Sequence, residues 1–146
     1  MKKDPKIFLL HMLESILDIE RWTKNISQEE FFDDTKTQDA VMRKFEILGE
    51  AVKNISKDFR NAHPHVEWQE MAGMRDMLIH EYFGVDLGIV WNTAQRDIPR
   101  LRKKLEVIIK ELQKNQDLRR RLEEPEKKVR VKKNLTSTIK KSIIIL

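Results

Sequence analysis

An all-α fold, an antiparallel four-helix up-and-down bundle, is what this sequence predicts, on three observations. Apolar residues recur at helical spacing through four long segments. No stretch alternates apolar and polar residues as a half-buried strand does. Only four Gly and four Pro interrupt the 146 residues, so the loops are short and sequential helices are expected to lie antiparallel. A hydrophobic fraction of 40% beside 36% charged residues suits a soluble, helix-rich domain, and the length is enough for one core.

The first helix opens at Asp4-Pro5, Pro being tolerated in the first turn, and runs from Lys6 to about Lys24. Its stripe is Leu9, Leu13, Ile16 and Leu17, widened by Ile7, Leu10, Met12 and Trp22. Ser27-Gln28-Glu29-Glu30 has the pattern of a capping box and starts a short turn around Phe31-Phe32. The polar run DDTKTQD reads as a loop, after which Thr37 caps a second long helix from about Gln38 to Ile55. Val41, Phe45, Leu48, Val52 and Ile55 face the core there. Gly49 inside this helix costs about 1 kcal/mol against Ala, which close packing would explain. Ser56 to Arg60 forms a brief extra turn that ends at His63-Pro64-His65, since Pro disfavours helix in the residue before it. The third long helix runs from about Trp68 to Tyr82 and stops near Gly84. Asp86 caps the fourth, which carries Val90, Trp91, Ala94, Ile98, Leu101, Leu105, Ile108 and Leu112 and should bend or split at Pro99.

From Asn115 onward the runs RRR, EEPEKK and VRVKK, broken by Pro125, read as frayed helix passing into a flexible basic tail. The division is therefore a bundle over 1–115 and a tail over 116–146, whose terminal SIIIL has no account. The tail holds ten Lys/Arg against four Asp/Glu, so the bundle, with 19 basic and 20 acidic residues, is nearly neutral and the net charge of +5 belongs to the tail. That basic excess could touch RNA phosphates non-specifically, but it lacks interleaved aromatics, and a solvated terminus is the plainer reading. Absence of cysteine excludes disulfides and thiolate metal sites and fits a reducing, cytoplasmic setting. No apolar run is long enough to span a bilayer, and MKKDPK lacks the apolar core of a signal peptide.

Chemically capable side chains concentrate in MAGMRDMLIHEYFGVD, 71–86. Imidazole titrates near pH 6.5, so His80 can take or give a proton, and Asp76 one turn earlier could orient its ring; the plain alternative is an exposed helix-end histidine beside a salt-bridging aspartate. Arg75 suits a phosphate, and otherwise makes a surface ion pair. Five residues of helix advance about 500°, which leaves Arg75 and His80 about 140° apart, so two copies across a two-fold axis aim both at one atom more easily than one copy does. Tyr82 shares a face with Arg75, as a site hydroxyl or as a core-edge aromatic with a wet tip. His63 and His65 lack further ligands at a convincing spacing, and Glu50 reads as a rim or salt-bridging residue. No phosphate-cradling Gly loop, serine elbow or paired-carboxylate pattern is present, and no cofactor is expected.

Arg75-Asp76-xxx-His80-x-Tyr82 fits the RxxxxHxY motif of the HEPN superfamily. With DAVMRKFEILGEAVKNIS at 39–56, HPHVEWQEMAGMRDMLIHEYFGVD at 63–86 and Val90-Trp91, the chain resembles the HepT-like toxin family over about residues 6–113. The resemblance implies an all-α homodimer with its cleft where two motif helices meet. It implies the toxin of a toxin–antitoxin pair: a metal-independent endoribonuclease, encoded beside an MNT-type nucleotidyltransferase antitoxin. Arg75 and His80 would be the catalytic pair and Asp76 the supporting polar residue, while Tyr82 would be the tyrosine that the antitoxin modifies with AMP. The family often has Asn where this chain has Asp76, and the exchange puts a negative charge near the phosphate path. RNA carries its own nucleophile, so a proton-transferring group and a cation suffice for transesterification to a 2′,3′-cyclic phosphate and a 5′-hydroxyl. The competing expectation is a non-catalytic module that dimerises and binds a nucleotidyltransferase partner or a nucleotide.

Overall fold

The computed structural model describes residues 4–123, and for Tyr82 the backbone alone. Seven α-helices follow one another: α1 Pro5–Thr23, α2 Gln28–Asp33, α3 Thr35–Lys53, α4 Lys57–Ala62, α5 Trp68–His80, α6 Leu87–Asn92 and α7 Ile98–Glu123. A 3₁₀ turn, Tyr82–Gly84, follows α5, and a π turn, Thr93–Asp97, joins α6 to α7. No strand occurs among the described residues, and none of their helices is long and apolar enough to cross a membrane.

Most helix starts are set by a side chain that accepts from otherwise orphaned backbone N–H groups. Asp4 accepts from Lys6 N at 3.0 Å, with Pro5 in the first turn of α1. The capping box at α2 is complete: Glu30 N donates to Ser27 Oγ at 3.1 Å, and Ser27 N donates to Glu30 Oε1 at 3.3 Å. Asp86 caps α6 through Gly88 N at 2.8 Å and Ile89 N at 3.3 Å, as its position predicts. The start of α3 departs from expectation. Asp34, not Thr37, is the cap, accepting from Thr37 N at 3.1 Å and from the Thr37 hydroxyl at 2.5 Å. A carboxylate outcompetes a hydroxyl as acceptor, so half of the expected loop becomes the first turn of α3. These bonds, the Thr37 hydroxyl first, hold the Asp34 carboxyl below its ordinary 3.8.

The core sits where the periodicities converge. Leu9, Met12, Leu13, Ile16 and Ile19 of α1 and Val41, Phe45, Leu48 and Val52 of α3 are almost wholly buried, each such side chain stabilising the fold by about 1.5–3 kcal/mol. Antiparallel packing of α1 on α3 is marked by Lys44 on Asp18 at 2.9 Å. Between α3 and α5 the short α4 returns the chain, so the contacts advance together along both helices. Gly49 lies against Met71 and Arg75, and Lys53 meets Asp76. This pair thus runs in one direction, because α4 intervenes where a direct hairpin would reverse it.

As expected, Pro99 marks a division of the fourth segment, into α6 and α7 with the π turn between them. The turn before it widens, Ile98 N donating to Thr93 O five residues back, and Pro99 falls in the first turn of α7, where a missing N–H costs little. Helices α1–α6 and α7 as far as Leu105 belong to one compact unit, and a second begins at Glu106. In the second, α7 continues through the expected boundary at 115 to Glu123, with Gln113 donating to Asp117 at 2.8 Å. The rest of the predicted tail, 124–146 with SIIIL, lies outside the described residues.

Candidate active site

The thirteen residues of α5 include Arg75, Asp76 and His80. Trp68, Met71 and Leu78 are its buried anchors, and the Trp68 indole donates to His63 O at 2.9 Å, fixing the entering loop. The helix ends at His80, two residues short of the predicted end. Glu81 N closes it on Met77 O, and the backbone of Tyr82 opens the 3₁₀ turn. The side chain of Tyr82 lies outside what the structure describes.

Arg75 turns toward α3. Its Nε donates to Glu50 Oε2 at 2.9 Å and its Nη1 to Asp76 Oδ1 at 3.0 Å, which leaves one terminal nitrogen and the outer edge of the fork for another anion. Gly49 makes this approach possible. A Cβ there would stand 2.3 Å from Arg75 Cβ and 2.8 Å from Met71 O, so no larger residue fits without parting the helices. The close packing expected of Gly49 and the salt-bridging role expected of Glu50 are both what the structure shows.

Asp76 does not orient His80. Its Oδ1 takes Lys53 Nζ at 2.5 Å as well as Arg75 Nη1. Lys53 first, and Arg75 second, hold its carboxyl below the ordinary 3.8. The physical reason is charge: two cations on one oxygen outbid an imidazole one turn away. His80 is exposed at the last position of α5, and its ring makes no hydrogen bond or ion pair with the described residues. A single chain therefore brings together Arg75, Asp76, Glu50 and Lys53, and leaves His80 on another side of the helix. Helix α5 is unbroken from Arg75 to His80, so the turn of about 140° between them applies. Sequence reasoning missed Lys53. Its one signal was its place three residues after Glu50, on the same face of α3.

Arg75 and Glu50 also border an open cavity of about 370 Å³ walled by Phe8, His11, Ile47 and Ile79. Beyond the end of α5, Phe83 is 92% exposed. His63 stacks on Phe59 with ring centroids 4.5 Å apart and stands 6.0 Å from His65. Among the described residues no group of three or more His, Asp or Glu is placed to hold a metal ion.

A family model described as Ribonuclease HepT-like matches residues 12–108. A Thermococcus cleftensis protein described as a probable ribonuclease HepT is 50% identical over 110 residues, covering 75% of this chain and 100% of its own length. A Methanocaldococcus jannaschii protein named provisionally as an RNase is 49% identical over 112 residues, covering 77% of this chain and 93% of its own. Another from that organism, named as a gamma-glutamylcyclotransferase and provisional RNase, is 49% identical over 117 residues; the match covers 80% of this chain but only 53% of that longer protein. No solved structure matches the chain.

Proposed function

This chain belongs to the HepT-like ribonuclease family, and from that membership we propose that it is a toxin-type endoribonuclease that cleaves RNA by 2′-hydroxyl transesterification. One observation carries the reading beyond the family. A permanently charged guanidinium is fixed by two carboxylates with an edge left free, five residues before an exposed imidazole on the same helix. Arg75 would hold the scissile phosphate and stabilise the charge developing on it. His80 would move the proton. The 2′-oxygen attacks phosphorus, the bond to the 5′-oxygen breaks, the 2′-proton leaves to a base and a proton reaches the departing oxygen. The products are a 2′,3′-cyclic phosphate and a 5′-hydroxyl.

The separation of Arg75 and His80 on one helix supports a site completed by a second copy, so that Arg75 of one chain works with His80 of the other. Exposed apolar side chains near His80, Ile79 and Phe83, favour burial in such an assembly. Neutralisation by an MNT-type nucleotidyltransferase antitoxin belongs to the same reading. AMP on Tyr82, two residues beyond His80, would add a bulky anion and exclude the substrate phosphate by sterics and charge. Incubation with such an antitoxin and ATP should add one AMP mass to Tyr82. Rescue of growth without that mass would point to neutralisation by binding alone.

The deciding experiment is purified protein with total RNA or tRNA, in EDTA, beside His80→Ala. Discrete fragments from wild type only are expected, and fragments from both would remove His80 from the mechanism. The negative charge of Asp76, where the family often has Asn, favours a second reading, a non-catalytic module that binds a nucleotidyltransferase partner or a nucleotide. RNA left intact by both proteins would select it.

A further inference from the structure

Four charged side chains from two helices alternate in sign along one line: Glu50 of α3, Arg75 and Asp76 of α5, and Lys53 of α3. The links are 2.9 Å from Glu50 Oε2 to Arg75 Nε, 3.0 Å from Arg75 Nη1 to Asp76 Oδ1 and 2.5 Å from that oxygen to Lys53 Nζ. Glu50 and Lys53 are three residues apart on α3 and so straddle the Arg75–Asp76 step of α5, an arrangement that the side-chain-free contact at Gly49 lets close.

Without Lys53 the row would be two carboxylates around one guanidinium, a net charge of −1 where a phosphate must arrive. Lys53 brings the sum to zero and competes with Arg75 for the same carboxylate oxygen. We infer that Lys53 is a positioning residue of this site: by holding Asp76 it keeps the Arg75 fork open to a phosphate. This rests on the reading of Arg75 as the phosphate-binding cation. The fall of the Asp76 carboxyl below its ordinary range, caused first by Lys53, agrees with the pairing. Lys53 and Asp76 are 39% and 47% exposed, and exposed pairs of this kind add little to stability. The effect belongs to anion binding and leaves the fold almost untouched.

A double-mutant cycle separates this role from direct contact of Lys53 with RNA. The full chain would be compared as wild type, K53M, K53R, D76N and K53M/D76N. The readouts are binding of a 2′-O-methyl RNA oligonucleotide, which offers no 2′-hydroxyl to react, then kcat and KM on RNA, and Tm. K53M should weaken oligonucleotide binding and raise KM by roughly threefold to tenfold, with kcat and Tm nearly unchanged. K53R should restore both, and in the D76N background K53M should change binding by less than about twofold. An equal loss from K53M in both backgrounds would mean that Lys53 acts on RNA by itself, through contact or through its own charge, and would overturn the inference, as would no loss at all. Oligonucleotide binding that follows this pattern without any cleavage overturns the ribonuclease reading and leaves the inference standing. Absence of binding by wild type overturns both.

Discussion

The proposed role of Arg75 suits a planar guanidinium, which can be gripped on two edges and still present a third. An ammonium cannot, since it is a point charge on a flexible stem. Arg75→Lys should therefore lower kcat/KM for RNA by about 10²-fold or more while the melting temperature barely moves. The partners of Arg75 were unequally legible. Glu50 could be read as a salt-bridging residue because a carboxylate in an apolar stripe needs a cation, whereas Lys53 is ordinary until α3 is laid against α5. The Asp34 carboxylate offers a test in another part of the chain. Its folded value lies below the unfolded one, so its contribution is complete above the ordinary carboxylate range and is lost as pH falls through the folded value. Asp34→Ala should lower Tm by a few degrees at neutral pH. Asp34→Asn, whose amide oxygen caps without titrating, should keep most of the stability and flatten its acid decline in melts run at falling pH.

Helices were legible from period and caps, and their register against one another was not. Leu9 to Ile19 and Val41 to Val52 repeat at helical spacing and are buried as that spacing requires. The start of α3 was misplaced because Asp34 and Thr37 are both good caps, and the choice depends on which accepts from which. The end of α5 came early because Glu81 closes the last turn before Tyr82. Gly49 was noticed as a weakness in a helix, yet its use is seen only across the α3–α5 contact. Ala is the better helix former by about 1 kcal/mol, but its methyl would press on the Met71 carbonyl, which cannot swing aside. Gly49→Ala should therefore destabilise the protein by about 1–3 kcal/mol in urea titration and reduce RNA cleavage through Arg75.

At the scale of the whole molecule, the question is whether one chain is enough. If Arg75 of one copy works with His80 of the other, two inactive variants can repair each other. A mixture of Arg75→Ala and His80→Ala chains, unfolded and refolded together, should recover roughly a quarter of wild-type activity, half of the dimers being mixed and each holding one intact site. No recovery would place both residues of each site in one chain. Light scattering on the wild-type protein should return twice the 17.5 kDa chain mass.

The widened turn at Thr93–Asp97 has a consequence for how this segment can change length. A π turn holds one residue more than the regular spiral over the same rise, and each residue turns the path by about 100°. Ala94 within this turn and Leu101 and Leu105 after it are all buried. Removing Gln95 would make the spiral regular over the same rise and leave Leu101 and Leu105 on their buried side. The irregular turn is thus the position where the segment can lose one residue, and a one-residue deletion there should be better tolerated than one in the regular helix at 101–105.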